Sequence, residues 1–110
     1  MPDQRTRPRV AVHYRLIVRD GSREGRGSTE NVSERGAMIS IDLDPPLRAG
    51  GEITLDVELP ERGFVQIPAR VRWISSVLPG MAGIEFLPPV NSELVAHIAQ
   101  LLNQRIDQTG

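Results

Sequence analysis

The most regular part of the sequence is EITLDVEL, residues Glu52–Leu59, in which polar and apolar residues alternate throughout. A period of two is typical of a β-strand with one buried face. After the short connection Pro60–Gly63 the alternation resumes, with apolar residues at Val65, Ile67, Ala69, Val71 and Trp73. The two segments predict an antiparallel hairpin. Because Pro68 cannot donate a ladder hydrogen bond, it predicts a sheet edge or a bulge at that position.

The same pattern extends in both directions from this hairpin. Upstream, Val10–Arg19 alternates, a weaker polar segment covers Arg23–Thr29, and apolar residues recur at Ala37, Ile39 and Ile41. Downstream, Leu78-Pro79-Gly80 turns the chain into the short segment Gly83–Phe86. Turn-forming residues separate these segments. The sequence therefore predicts about six short strands with short links.

The period changes after Pro88-Pro89. Apolar residues then fall at helical spacing, at Leu94, Val95, Ile98, Leu101, Leu102 and Ile106. Asn91 stands where an N-cap is needed, so we expect a helix over residues 91–106 that packs on or fills one opening of the sheet structure. Six strands followed by one helix predict an all-β domain with one helix. An antiparallel barrel or sandwich is favoured over a parallel α/β fold.

Composition narrows the classes of function. The chain has 110 residues and a net charge of −1, which suits one domain and argues against a general binder of nucleic acid polymers. It has no cysteine, which excludes disulfides and thiolate metal sites. With neither a long apolar run nor a secretory signal, the sequence predicts no membrane insertion and a cytoplasmic location. Positive charge is concentrated in residues 1–35, with eight Arg against five acidic residues.

Residues suited to catalysis are sparse. The two histidines, His13 and His97, have no partner at metal-ligand spacing, and Gly25-Arg26-Gly27 lacks the strand-to-helix context of a phosphate-binding loop. The aligned acids Glu52, Asp56 and Glu58 indicate a solvated strand face. We therefore expect no enzymatic activity, no metal and no cofactor.

Two polar segments carry the remaining signal. Arg5, Arg7 and Arg9 precede the first strand, and Pro8 favours an extended presentation of these side chains. The segment Asn31–Gly36 interrupts two strands, where Asn and Ser side chains can bond the local backbone and Gly36 can supply a positive φ or allow close approach. Taken singly, the first segment suits a solvated tail and the second a capped turn.

Taken together, Arg5-x-x-x-Arg9 and Asn31-x-Ser33-x-x-Gly36 resemble the signature of PilZ domains, bacterial receptors for cyclic di-GMP. The segments Gly36–Ile39, Val71-Arg72-Trp73 and Gly83–Phe86 are similar to later strands of that family. The resemblance covers roughly residues 5–105. It implies a six-stranded antiparallel β-barrel with a C-terminal α-helix, here one domain over residues 10–106 preceded by a flexible arm, residues 1–9.

The resemblance also implies a ligand site. Arg5 and Arg9 would bind guanine edges and phosphates of cyclic di-GMP, with Arg7 adding charge. The residues Asn31, Ser33 and Gly36 would meet a guanine and its phosphate from the barrel surface. Trp73 either borders this site or belongs to the core, as its place in the alternation indicates. Binding would order the arm and signal to a downstream protein, and the process under its control is left open between motility, exopolysaccharide production and development.

Two other functions remain open. The same barrel could be an adaptor that binds proteins without any nucleotide; Arg5→Ala and Arg9→Ala would then have no effect. A binder of single-stranded nucleic acid would need a basic groove with exposed aromatic residues. The chain has only four aromatic residues, Tyr14, Phe64, Trp73 and Phe86, and at least three of them occupy predicted core-facing positions.

Overall fold

Six antiparallel strands close into a barrel and one helix follows them in the computed structural model, which describes residues 9–109 and the side chains of residues 9–103. The order around the barrel is β1-β2-β3-β6-β5-β4, and β4 pairs with β1 to close it. The elements are β1 (Arg15–Asp20), β2 (Arg23–Val32), β3 (Gly36–Asp42), β4 (Glu52–Leu59), β5 (Gly63–Ile74), β6 (Met81–Phe86) and α1 (Ser92–Thr109). The predicted barrel and single helix are confirmed.

The core follows from the alternation. On β4 the four apolar residues Ile53, Leu55, Val57 and Leu59 are buried, and the polar residues between them face outward. The pairing of β4 with β5 runs without interruption from Glu52 opposite Arg70 to Leu59 opposite Gly63. Pro68 pairs with Thr54 on β4, and on its other side its carbonyl oxygen accepts a hydrogen bond from the amide of Leu87 at 2.9 Å, just beyond the ladder between β5 and β6. It therefore stands at the end of that ladder, where its missing amide donor is tolerated.

The first strand is shorter than the alternation predicts. Regular pairing begins at Arg15, although Val10 forms an isolated bridge with Val32. Between these points the buried Thr29 hydroxyl donates to the carbonyl of Val12 at 2.6 Å and accepts from the amide of Tyr14 at 2.9 Å. A side chain therefore takes the place of ladder partners, which ends the strand without leaving buried backbone groups unpaired.

The helix is anchored at its start and along one face. The side-chain oxygen of Asn91 accepts hydrogen bonds from the amides of Glu93 and Leu94 at 2.9 and 3.1 Å, so the predicted N-cap is confirmed. Leu94 and Ile98 are buried in the barrel core. His97 Nε2 lies 2.5 Å from the Tyr14 hydroxyl, which joins the helix to the segment before β1. Within residues 9–109, no helix is both long and apolar enough to cross a membrane.

Two β-bulges break the regular registers. One lies between Thr29 and Asn31 in the pairing of β2 with β3, and the other between Val71 and Trp73 in the pairing of β5 with β6. The second bulge overturns the assignment of Trp73 to a core-facing position. Its extra residue moves Trp73 to the outer face, where its exposure is 45%. Of the four aromatic residues, only Phe86 is fully buried.

Candidate ligand-binding site

Four residues form a continuous row across the outer face of the barrel. Asn31 on β2 is the register partner of Met38 on β3, Met38 is the partner of Gly83 on β6, and Gly83 is the partner of Trp73 on β5. Neighbouring strands in a sheet lie about 4.8 Å apart, so this row spans roughly 14 Å. It connects a residue of the Asn-x-Ser motif to the single tryptophan of the chain.

The two bulges position the ends of this row. Each bulge lies immediately before an end residue, Asn31 on β2 and Trp73 on β5. A bulge sets two residues opposite one and re-aims the side chains that follow. On β5 the consecutive residues Arg72 and Trp73 are both exposed, which a regular strand does not permit. The bulge thus places a cation beside an aromatic ring.

Trp73 packs against a position that has no side chain. A Cβ atom added to Gly83 would lie 2.2 Å from Trp73 Nε1 and 2.3 Å from its Cε2 atom. The indole therefore occupies the space that any larger residue at position 83 would need. Met38 flanks the same glycine on β3. Indole and thioether together give the row an apolar floor, and the exposed part of the ring is suited to stacking on a base.

Arg9 reaches this row from the N-terminal side. Its Nη1 atom donates to Asn31 Oδ1 at 2.7 Å. The next residue, Val10, exchanges two backbone hydrogen bonds with Val32, at 2.8 and 2.9 Å, so the chain is fixed beside the end of β2. The hydrogen bond joins one residue from each of the two motifs, although they are far apart in the sequence.

The row, together with Arg9 and Arg72, borders an open pocket. Its volume is about 320 Å³, and it is lined by Arg9, Asn31, Ala37, Met38, Arg72, Trp73, Gly83 and Ile84. Cations on its border, an amide and an exposed indole suit a ligand that combines phosphate with a planar base.

Ser33 and Gly36 build the turn between β2 and β3. The buried Ser33 hydroxyl accepts hydrogen bonds from the amides of Arg35 and Gly36, at 3.3 and 3.2 Å. The φ of Gly36 is not positive; instead a Cβ there would lie 2.2 Å from the carbonyl oxygen of Ile84 on β6. Close approach of two strands is therefore the reason for this glycine. Neither residue lines the pocket, and their contact with a ligand stays a prediction.

The structure brings together Arg9, Asn31 and Trp73 of the predicted site residues. Arg5 and Arg7 lie outside the described residues. Sequence reasoning missed Arg72, Met38 and Gly83, because alternation treats a strand residue only as inward or outward. Gly83 and Trp73 lie on neighbouring strands, and their contact cannot be predicted without the register that pairs these strands.

The two histidines lie outside this pocket and contact other parts of the barrel. His13 Nδ1 lies 3.0 Å from the carbonyl oxygen of Thr29, and burial lowers the pKa of His97, with the positive charge of Arg62 adding to that effect. Among residues 9–103, whose side chains the structure describes, no group of three or more His, Asp or Glu residues is placed to hold a metal ion.

Comparison with solved structures finds the same barrel in several proteins. The Bacillus subtilis inhibitor of motility, MotI, superimposes with a TM-score of 0.78 at 16% identity, covering 99% of this chain and 54% of its own, so this chain spans about half its length. The PilZ domain of YcgR from Escherichia coli, solved with cyclic di-GMP, gives 0.75 at 14% identity and 97% coverage of both chains. The PilZ domain of CeSA from a cellulose-synthesising bacterium gives 0.65 at 20% identity, covering 86% of this chain and 93% of its own.

Comparison with curated proteins finds no match to this chain. The sequence does match the PilZ domain over residues 3–104, which include both arginine-containing and asparagine-containing motifs. The match covers nearly the whole chain, and the closed six-stranded barrel with its C-terminal helix agrees with it. This chain belongs to the PilZ domain family.

Proposed function

We propose that this chain is a receptor for cyclic di-GMP and that it acts by binding rather than by catalysis. The observation that carries the proposal is the meeting of Arg9, Asn31 and Trp73 at one pocket on the outer face of the barrel. Family membership adds weight, because the PilZ domain of YcgR was solved with this nucleotide.

Each residue has a chemical task in this proposal. The guanidinium of Arg9 forms paired, charge-assisted hydrogen bonds with a phosphate or with the O6/N7 edge of a guanine. The amide of Asn31 contacts the same guanine once Arg9 has turned toward the ligand. The indole of Trp73 stacks on a base. Ser33 and Gly36 fix the turn that follows Asn31 and add backbone groups near the phosphate. Arg5 and Arg7 supply further charge.

Nucleotide binding is proposed to act as a switch. The arm, residues 1–9, becomes ordered on the barrel when its arginines bind the nucleotide, and a downstream protein recognises the altered surface. The partner belongs to the control of motility or exopolysaccharide production, in the cytoplasm. Amide hydrogen exchange tests the switch: protection of residues 1–9 should rise with nucleotide, and equal exchange with and without it would contradict the switch while leaving the receptor intact.

The receptor itself is tested by isothermal titration with cyclic di-GMP, GTP and cyclic GMP. We expect low-micromolar or tighter binding of cyclic di-GMP, about −8 kcal/mol or better, and none of the mononucleotides. The variants Arg5→Ala and Arg9→Ala should each lose at least about tenfold in affinity, the effect of one charge-assisted hydrogen bond. Arg26→Ala is the matched control, because Arg26 is exposed on the same strand as Asn31 but does not line the pocket.

Two outcomes would redirect the interpretation. If the wild-type protein gives no heat, and a second binding assay agrees, then the receptor is excluded and the nucleotide-independent adaptor becomes the leading function. If Arg9→Ala and Arg26→Ala bind equally well, then the nucleotide occupies another surface. The titration also gives the number of nucleotides bound per chain.

A further inference from the structure

Arg72 is a second arginine at the pocket and belongs to neither sequence motif. It is the extra residue of the β5 bulge: Val71 pairs with Ile84 and Trp73 pairs with Gly83, which leaves Arg72 without a register partner on β6. Its side chain is 62% exposed and lines the pocket beside Trp73. In a regular strand only one of two consecutive residues would face the pocket, whereas the bulge lets both Arg72 and Trp73 line it.

Among the residues that the structure describes, one weak contact holds the Arg72 guanidinium. Its Nη1 atom donates to Glu85 Oε1 at 3.2 Å, and the carboxylate is 40% exposed. Exposed ion pairs of this kind contribute little to stability, since water screens them and two long side chains must be ordered. A guanidinium has further donors in a planar fork that matches a phosphate. Arg72 can therefore exchange Glu85 for a ligand phosphate at little cost.

We propose that Arg72 binds one phosphate of the cyclic dinucleotide, and that Glu85 holds and partly neutralises it when no ligand is present. This inference rests on the proposed function and adds a binding residue to the same site. The ligand has two phosphates, and the described pocket has Arg9 on β2's side of the row and Arg72 on the side of β5. Glu85 acts through Arg72 and is a positioning residue.

The experiment compares two ion pairs whose arginines both lie on β5. Arg70 also lies on the outer face of β5 and pairs with Glu52 at 2.9 Å, but neither residue lines the pocket. Cyclic di-GMP is titrated into wild type, Arg72→Ala, Glu85→Gln, and the controls Arg70→Ala and Glu52→Gln. Arg70→Ala is a close control, because Arg70 lies directly opposite Glu85 in the ladder between β5 and β6 and yet does not line the pocket. Circular dichroism and thermal melts of all five proteins check that they fold alike.

Arg72→Ala should bind about tenfold more weakly, as expected for loss of one charge-assisted contact. Glu85→Gln should bind about two- to fivefold more tightly, since an exposed ion pair no longer competes. Both controls should stay within about twofold of wild type. A gain in affinity from Glu85→Gln is informative, because loss of a purely structural contact would not tighten binding.

Other results would overturn the inference in distinct ways. If wild type binds and Arg72→Ala binds equally well, Arg72 makes no contact with the ligand and the receptor function stands. If Arg72→Ala and Glu85→Gln both weaken binding, the pair shapes the strand and Glu85 does not compete. If wild type itself does not bind, the proposed function fails and this inference fails with it.

Discussion

Replacing Gly83 with alanine tests whether the position of Trp73 depends on the missing side chain beneath it. The new Cβ would lie 2.2 Å from the indole Nε1 atom, whereas an ordinary contact begins at 3.4 Å, so the ring must move by about 1.2 Å. Because Trp73 is 45% exposed, it can move outward into solvent. Overpacking destabilises the folded protein by about 1–3 kcal/mol. Replacing glycine by alanine offsets about 0.4–1 kcal/mol of this, because it reduces the conformational entropy of the unfolded chain. We expect a net loss of about 1 kcal/mol.

Gly36 provides the matched control. A Cβ at this position would meet the backbone carbonyl oxygen of Ile84 at the same 2.2 Å. Here the obstacle is a strand and not a mobile side chain, since Gly36 pairs with Glu85 in the ladder between β3 and β6. Relief requires the two strands to separate. Gly36→Ala should therefore cost about 3 kcal/mol or more, at the upper end for overpacking.

Urea unfolding followed by far-ultraviolet circular dichroism measures both losses without using the tryptophan signal. Fluorescence then gives a separate readout, because Trp73 is the only tryptophan. Its emission should shift to longer wavelength in Gly83→Ala and stay near that of wild type in folded Gly36→Ala. Affinity for cyclic di-GMP should fall in Gly83→Ala as the base loses its stacking surface, worth about 1–3 kcal/mol. Equal stability losses in the two variants, or unchanged emission in Gly83→Ala, would refute this reasoning.

Three further predictions concern the frame around the pocket. Asn91→Ala should cost about 1 kcal/mol in urea unfolding, because two first-turn amides of the helix lose their acceptor, and Asn91→Asp should retain most of the stability. Thr29→Val should cost about 1–3 kcal/mol, since it leaves a partly buried backbone amide and a partly buried carbonyl without their hydroxyl partner; a loss below 0.5 kcal/mol, roughly the scatter of such measurements, would contradict this. Because burial lowers the pKa of His97, the unfolded chain binds the proton more readily, and the melting temperature should fall as pH drops through 6.5 and level off below the folded pKa. His97→Gln should flatten this dependence, and an unchanged slope would assign it to other groups.

Much of the fold could be predicted because barrel strands with one buried face follow a simple period. The bounds of β4 agree residue for residue with the alternation over Glu52–Leu59. The helix and its cap at Asn91 were predictable for a similar reason, since capping is local chemistry. Where a side chain replaced the backbone ladder, as Thr29 does beside β1, the period predicted the burial pattern but not the start of the strand.

The pocket could be predicted only in part, and its missing residues share a cause. Arg72, Met38 and Gly83 acquire their roles from the register between strands, which no single segment of sequence contains. The sequence does place Trp73 in an alternating run, and extending that alternation to it is what misplaced its side chain. A bulge is defined by the pairing of two strands, so this one cannot be recognised from the sequence of β5 or of β6 alone.

The dependence on strand pairing explains why the motif residues could be identified from the sequence and the surface position of Trp73 could not. Arg9 and Asn31 lie in short motifs whose spacing survives without knowledge of the fold, so resemblance can find them. Trp73 becomes a surface residue only because a bulge turns it outward and Gly83 leaves room for its ring. The pocket therefore needs two departures from a regular sheet, an extra residue on one strand and a missing side chain on its neighbour. Restoring either one, as Gly83→Ala does, should damage the stacking surface while leaving the motif residues intact.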